Sequence, residues 1–200
     1  MSTALKIGPA EHGRRITLEE FQTADWVEGH HYELIDGRLY VSPAANLPEN
    51  VVEEWIGGKL YRYSRMHPEV FNYVSAKARV FVPGRTNVTC PEPDRTCYQN
   101  FPLHLPLRRI SWRKVSPRLV VEIISAGDPD KDLVRNVDLY LQVPSIQEYW
   151  VLDAREDPDR PSMRVYRRRG DEWEIIDLEY GDVYTTPLMP GFKLKIDPRG

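Results

Sequence analysis

Cysteine is scarce in this chain, and long apolar runs are absent. The 200 residues contain only two cysteines, Cys90 and Cys97, which are too few for a disulfide framework and lack the C-x-x-C spacing of a zinc site. No stretch approaches the roughly 18 consecutive apolar residues of a membrane span, and residues 1–13 lack the apolar centre of a signal peptide. We therefore expect two ordinary thiols in a cytoplasmic protein that has no membrane partner.

Several common catalytic motifs are also missing. No G-x-S-x-G turn surrounds Ser125, and neither standard glycine-rich phosphate loop occurs. The adjacent histidines His30 and His31 would point to opposite faces of a strand, so they would not chelate a metal together. These gaps disfavour a serine hydrolase, a P-loop or Rossmann nucleotide-binding protein, and a metal site built on the two histidines.

The composition is that of a slightly acidic globular protein. Hydrophobic residues make up 41% of the chain and charged residues 28%, and the formal net charge is -3. A chain of this size can form one domain with a sizeable core, to which we assign residues 17–200 after an extension at 1–16. The charge argues against a protein that coats nucleic acid by bulk electrostatics, but an enzyme can hold phosphates near acidic metal ligands and remain acidic overall.

Local signals predict the N-terminal elements. Thr17 and Glu20 have the spacing of a capping box, which predicts a short helix running to about Trp26. An Asp-Gly pair at 36–37 between two strand-like runs predicts a β-hairpin with a type I′ turn. Glu33 in this hairpin either looks inward or lies on a solvated face.

The middle of the chain combines helical and strand-like patterns. Apolar residues at helical spacing predict an amphipathic helix over 49–67. Residues 70–82 predict one long or two short strands, with Lys77 on the face opposite the small apolar residues. Residues 95–99 predict another strand, and residues 101–116 a surface loop with one helical turn.

An unbroken apolar run surrounds Glu122. Its neighbours over 119–124 are leucine, valine and isoleucine, the composition of a strand buried on both faces. Asp128 then predicts a helix N-cap, and a strand over 147–153 would complete a crossover between parallel strands. Two alternating runs around 169–171 predict a second hairpin. Because burying an unpaired carboxylate is costly, Glu122 needs a metal ion, a basic side chain or a proton to compensate it.

Asp94 and Glu122 are the carboxylates hardest to explain as solvated surface. If Asp94 opens a strand beside the Glu122 strand, their oxygens can converge on a hard cation such as Mg²⁺, which prefers carboxylate, water and phosphate oxygens. Such an ion activates water and stabilises charge on a leaving phosphate. The alternative is that Asp94 is a turn residue and Glu122 pairs with an arginine.

Five segments, taken in order, resemble a known family. They are Tyr32-Glu-Leu-Ile-Asp-Gly37, Pro93-Asp94, Leu119-Val-Val-Glu-Ile-Ile-Ser125, Leu139-Tyr140 and Glu148-Tyr-Trp-Val-Leu-Asp153. Together they resemble the "putative restriction endonuclease" branch of the PD-(D/E)XK nuclease superfamily, over about residues 17–169. The resemblance implies a restriction endonuclease-like α/β (α+β) fold with a central mixed β-sheet flanked by helices, to which the predicted N-terminal and C-terminal β-hairpins would belong.

The same resemblance implies roles for individual residues. Asp94 and Glu122 would ligate Mg²⁺, with Mn²⁺ as a substitute, and the backbone carbonyl of Ile123 would add a ligand. Glu33 would match the early acidic residue of the family, which helps to hold the metal or its water. DNA would be the substrate.

The basic side of the expected site departs from the superfamily pattern. Ile124 stands where the superfamily has a lysine two residues after the glutamate, and Asn136 stands where this branch places its lysine in the following helix. Lys131 and Arg135, one helical turn apart, could reach in instead. Arginine stabilises phosphate charge well but is a poor proton acceptor.

The leading hypothesis is a Mg²⁺-dependent DNA endonuclease in which metal-held water attacks a phosphodiester. The alternative keeps the fold without catalysis, as a nucleic-acid-binding or protein-interaction module. A third reading is a structural homodimer in which Glu122 is salt-bridged. By fold analogy, an enzyme that cuts both DNA strands would benefit from a two-fold dimer.

Overall fold

The computed structural model describes residues 5–124 and 129–200. Its helices are α1 (Leu18–Thr23), α2 (Leu47–Met66) and α3 (Asn136–Leu141). Its strands are β1 (Lys6–Ile7), β2 (Asp25–Trp26), β3 (His30–Ile35), β4 (Arg38–Pro43), β5 (Tyr73–Ala76), β6 (Arg95–Tyr98), β7 (Leu119–Ile124), β8 (Glu148–Asp153), β9 (Ser162–Arg169), β10 (Glu172–Leu178), β11 (Val183–Tyr184) and β12 (Leu194–Lys195). A π-helical turn, Lys131–Arg135, leads directly into α3. None of the helices in the described ranges combines the length and the apolar composition that a membrane crossing requires.

Six strands form the central sheet, in the order β10-β9-β8-β7-β6-β5. β7 and β8 run parallel, whereas the other neighbours are antiparallel. The chain passes through α3 between the two parallel strands, so the predicted crossover is confirmed. A mixed sheet flanked by helices also confirms the predicted fold class.

Side chains of β7 alternate between two cores. Residues 119, 121 and 123 pack in one core with α2, while residues 120 and 124 pack in a second core with α3. Successive residues of a strand point to opposite faces of the sheet. Glu122 therefore shares the face that α3 covers.

The hairpin of β3 and β4 lies outside the central sheet. Its turn residues Asp36 and Gly37 have φ of 50° and 69°, and positive φ at both central positions is what a type I′ turn requires. An isolated bridge joins Leu34 to Cys90, which attaches the hairpin to the segment leading into β6. The second predicted hairpin is also confirmed, since β9 and β10 pair around Gly170.

The first helix is shorter than predicted. It begins at the Thr17 capping box, as expected, but it ends at Thr23 instead of near Trp26. Ala24 is extended, with φ of -63° and ψ of 150°, and the next two residues pair with β1. From this extended backbone the Trp26 ring packs against Phe21, at 5.1 Å between ring centroids, and this tertiary contact overrides the helical pattern.

The predicted continuation of strand structure through residue 82 is wrong. Only residues 73–76 join the sheet, because Lys77 has φ of 52° and this left-handed conformation interrupts the alternation of side chains. The chain then leaves the sheet and folds back, with the amide of Val80 donating to the carbonyl of Pro91. The segment from Lys77 to Pro91 is therefore a separate arm next to the β3–β4 hairpin.

The other predictions for the middle of the chain are confirmed. α2 and β6 lie where the patterns placed them, and residues 101–116 form a loop with two 3-10 turns. Cys90 and Cys97 are free, buried thiols. Ser125 and the expected N-cap Asp128 lie outside the described residues, and the domain boundary at residue 17 stays a prediction.

Candidate functional site

A cavity of about 230 Å³ lies between the β3–β4 hairpin and one end of the central sheet. Five of the residues singled out from the sequence line it: Glu33, Asp94, Ile123, Lys131 and Arg135. The other two, Glu122 and Asn136, lie behind them with exposed fractions of 1% and 0%. The fold thus brings residues from four separate segments of the sequence to one place.

Asp94 lies directly before β6 and contacts β7, the strand that carries Glu122. β6 itself pairs with β7. Oδ2 of Asp94 accepts a hydrogen bond from the Ile123 amide at 2.8 Å, and the Asp94 amide donates to Oε2 of Glu122 at 3.3 Å. Asp94 therefore does open a strand beside the Glu122 strand, and backbone hydrogen bonds fix the two carboxylates next to each other.

Glu122 is surrounded by hydrogen-bond donors from α3. Its Oε1 accepts from Nδ2 of Asn136 at 3.0 Å and from the Tyr140 hydroxyl at 3.1 Å. These donors are one helical turn apart and face the same strand. Burial, followed by the negative charges of Asp132 and Asp94, raises the pKa of Glu122 well above its ordinary value.

Asp132 is a buried acid that sequence reasoning missed. Its Oδ1 accepts from Nδ2 of Asn136 at 3.0 Å, and Nζ of Lys131 lies 3.7 Å away from it. Burial raises the pKa of Asp132 to about 7, against the opposing effect of Lys131. Asn136 thus donates to both Asp132 and Glu122, while its Oδ1 accepts from Nε of Arg135. The four-residue spacing of these polar side chains was a usable signal, because it places them on one helix face.

Glu33 looks inward, which decides the alternative left open by the sequence. It is 4% exposed, its Oε2 lies 2.7 Å from Nη2 of Arg135, and its Oε1 accepts from the Glu92 amide at 3.1 Å. Burial would raise the pKa of Glu33, but Lys131 and Arg135 outweigh it and lower that pKa. Glu33 is therefore ionised, and its ion pair with Arg135 connects the β3–β4 hairpin to the π-helical turn before α3.

Lys77 also enters the site, although the sequence did not predict it. Its Nζ lies 2.5 Å from Oδ1 of Asp94 and 3.8 Å from Oε2 of Glu53. Burial would lower the pKa of Lys77, but Asp94 and Glu53 more than compensate and raise it. A protonated ammonium group therefore stands beside Asp94, even though Ile124 and Asn136 occupy the positions where lysine was expected.

The wall of the cavity formed by β3 and β4 carries neutral polar side chains beside Glu33. His31 and Ser42 are cross-strand partners, and Tyr40 lies on the same face of the hairpin. The His12 ring meets the Tyr40 ring edge-on, at 5.3 Å between centroids. Burial, followed by the charge of Lys77, lowers the pKa of His31, so this histidine is neutral at neutral pH.

The chemistry of the donor set fits a hard divalent cation. The acidic side chains that line the cavity or lie directly behind it are Glu33, Glu49, Glu53, Asp94, Glu122 and Asp132, and the basic ones are Lys77, Lys131 and Arg135, so six acids face three bases. A cation would offset the remaining negative charge, and carboxylate and carbonyl oxygens are its preferred ligands. Within residues 5–124 and 129–200, no three histidine, cysteine, aspartate or glutamate side chains converge into a ready-made metal site. The fit therefore concerns donor type and charge, with Asp94, Glu122 and the Ile123 carbonyl as the candidate donors.

Comparison with known proteins covers almost the whole chain. A solved structure from Anabaena variabilis ATCC 29413, described as a "putative nuclease", matches with a TM-score of 0.65 and 17% identity, over 90% of this chain and 95% of that chain. At this identity the likeness shows a shared fold. No curated protein sequence matches the chain. The profile of the Uma2 family, described as "Putative restriction endonuclease", matches residues 18–197, and restriction endonuclease-like families generally depend on a divalent metal. The chain therefore belongs to the Uma2 family.

Proposed function

We propose that this protein is a metal-dependent endonuclease that hydrolyses phosphodiester bonds in DNA and uses Mg²⁺ as its cofactor. The observation that carries the proposal is the fixed pairing of Asp94 and Glu122 on adjacent segments at the cavity. Membership in a family described as restriction endonucleases supports nuclease activity and points to DNA. A homodimer and a cytoplasmic location stay predictions.

The residues around Glu122 divide into candidate metal ligands and residues that position those ligands. Asp94 and Glu122, with the carbonyl of Ile123, would hold the ion, which when bound supplies positive charge at the phosphate and a more acidic water molecule. Asn136 and Tyr140 act as positioning residues, because their hydrogen bonds fix the orientation of the Glu122 carboxylate.

Three basic groups can balance the charge that develops on the phosphate. Lys77 is protonated beside Asp94, and its side chain is 31% exposed, so its ammonium can reach a bound phosphate oxygen. Lys131 and Arg135 line the same cavity. Prepositioned positive groups at the reacting phosphate stabilise the transition state of phosphoryl transfer. None of the three is suited to accept a proton, because Asp94, Glu33 and Glu122 raise the pKa values of these groups.

Cleavage of supercoiled plasmid DNA tests the proposal. Wild-type protein should nick or linearise the plasmid in Mg²⁺ or Mn²⁺ and lose this activity in EDTA. Asp94→Asn and Glu122→Gln should each lower the rate by about 100-fold or more, since each removes a charge from the candidate ligand pair. Asp138→Asn is the matched control, because Asp138 is exposed on the outer side of α3.

Two outcomes would overturn the proposal. Equal cleavage by wild type, Asp94→Asn and Glu122→Gln would remove the mechanism. DNA binding without cleavage in either metal would favour the alternative, a nucleic-acid-binding module. In that module the ammonium group of Lys77 would occupy the position beside Asp94 that a metal ion takes in the proposed enzyme. Fluorescence anisotropy with a labelled duplex distinguishes that module from a protein that does not bind DNA.

A further inference from the structure

Three neutral, half-buried side chains on the β3–β4 wall of the cavity lack an internal hydrogen-bond partner. His31, Tyr40 and Ser42 make no side-chain hydrogen bond among residues 5–124 and 129–200. The acids of the site differ, because Glu33 on the same wall and Asp94 and Glu122 on the central sheet all accept hydrogen bonds from neighbouring groups. Polar groups that line a cavity without partners are free to bind a ligand.

The same wall offers a flat aromatic surface beside small apolar groups. The guanidinium of Arg135 lies 5.2 Å from the centroid of the Tyr40 ring, His12 meets the same ring edge-on, and Pro43 and Ala45 continue the lining. The cavity, at about 230 Å³, is smaller than the roughly 300–1,000 Å³ of sites for drug-sized molecules. It is therefore of a size to take one ring system, not a long ligand.

We propose that His31, Tyr40 and Ser42 form a pocket for one unstacked nucleobase next to the phosphate that is cut. This inference rests on the proposed nuclease function and narrows its substrate to single-stranded or locally unpaired DNA. A base offers a π-face to the Tyr40 ring and both donors and acceptors to the two smaller side chains. A phosphate would not suit this wall, because the Glu33 carboxylate belongs to it and Glu49 and Glu53 line the same cavity, and these acids would repel it.

Single-stranded oligonucleotides with one abasic residue provide the test. An abasic position is moved step by step past the cleavage site, and kcat/KM is measured for wild type, Tyr40→Ala and Tyr61→Ala. The kcat/KM of wild type should fall by about 5- to 150-fold when the abasic residue is at one position only, which is the loss expected when a stacked base is removed. Tyr40→Ala should lower kcat/KM on the intact strand by a similar factor relative to wild type. Removing the base as well should lower the kcat/KM of this variant little further. The control residue Tyr61 is exposed on α2, and its replacement should change neither value.

The comparison of the two strands separates base binding from an indirect effect. If Tyr40→Ala acts only by releasing Arg135, it lowers cleavage of intact and abasic strands by the same factor, and the inference is wrong. Uniform tolerance of abasic residues by wild type is equally contrary to it. Tyr40→Phe keeps the ring and its contact with Arg135, so it should retain most of the activity on the intact strand.

A binding measurement in Ca²⁺ keeps the inference testable even if the nuclease proposal fails. Anisotropy of a labelled oligothymidine and of an abasic backbone of equal length gives two affinities for the full-length protein. A base pocket predicts tighter binding of the base-bearing strand by wild type and equal binding of both strands by Tyr40→Ala. Equal affinity for both strands with wild type, or binding of neither strand, overturns the inference.

Discussion

Replacing Lys77 by methionine should strengthen metal binding while weakening catalysis. Nζ of Lys77 lies 2.5 Å from Asp94, so the ammonium competes with a divalent ion for the same carboxylate. Two unit charges about 4 Å apart interact by about 4 kcal/mol at an effective dielectric constant of about 20. The Lys77 side chain is 31% exposed, and screening by water reduces the expected effect to about 1–2 kcal/mol. Apparent affinity for the ion should therefore rise by about 5- to 30-fold.

The stability of the native state reports this affinity without any DNA. An ion that binds only folded protein raises the melting temperature with its concentration, so Mn²⁺ titrations of wild type, Lys77→Met and Lys59→Met give relative affinities. Lys59 is exposed on α2, and its replacement should leave the titration unchanged. Plasmid cleavage by Lys77→Met at saturating metal should fall by about 100-fold, as when one group that stabilises transition-state charge is removed. An unchanged titration together with full cleavage would refute the role given to this lysine.

Three further predictions concern the buried polar groups. Burial raises the pKa of Asp132 from 3.8 to about 7, so between these pH values the folded state holds a proton that the unfolded chain releases, and the free energy of unfolding falls as pH rises. Asp132→Asn should flatten this fall, measured in EDTA between pH 4 and 8. An unchanged slope would contradict the reasoning. Arg167→Ala should cost about 3–5 kcal/mol in urea unfolding because Glu148, 1% exposed, loses its ion pair at 3.0 Å. Arg164→Ala removes a solvent-exposed pair and should cost less than about 1 kcal/mol, and equal losses for the two arginines would count against the distinction. Tyr140→Phe removes one donor to the buried glutamate of β7 and should lower the free energy of unfolding by about 1 kcal/mol; no loss in the same assay would show that the hydroxyl is dispensable.

Local signals in the sequence predicted the elements that local physics determines. The capping box at Thr17 and the turn at 36–37 depend on groups within a few residues, and both occur as expected. The buried strand around Glu122 was also readable, because a strand covered on both faces needs an unbroken apolar run. From these elements and the family resemblance, the acidic half of the candidate site could be identified.

Of the basic groups, Lys131 and Arg135 were named from the sequence and line the cavity, whereas Lys77 was not, because its place in the site depends on tertiary packing. The sequence predicted a strand that continues past Lys77, whereas the φ of 52° at this residue ends the strand there, and its Nζ contacts Asp94. Asp132 stands in a charged stretch that reads as solvated surface, yet packing against β7 buries it. Asn136, which lacks the charge of the expected lysine, donates to two acids; its four-residue spacing from Asp132 is a local signal, but its contact with Glu122 depends on tertiary packing.

The position of Glu33 determines how wide the cavity can become. Its two oxygens accept hydrogen bonds from the Glu92 amide on one side and from Arg135 on the other. The β3–β4 hairpin is therefore attached both to the segment that leads into β6 and to the π-helical turn before α3. Moving the hairpin outward would break the ion pair of Glu33 with Arg135 and its hydrogen bond from the Glu92 amide, so both contacts oppose an opened form. In the proposed nuclease, these two contacts favour a nucleic acid that adapts its own shape to the cavity.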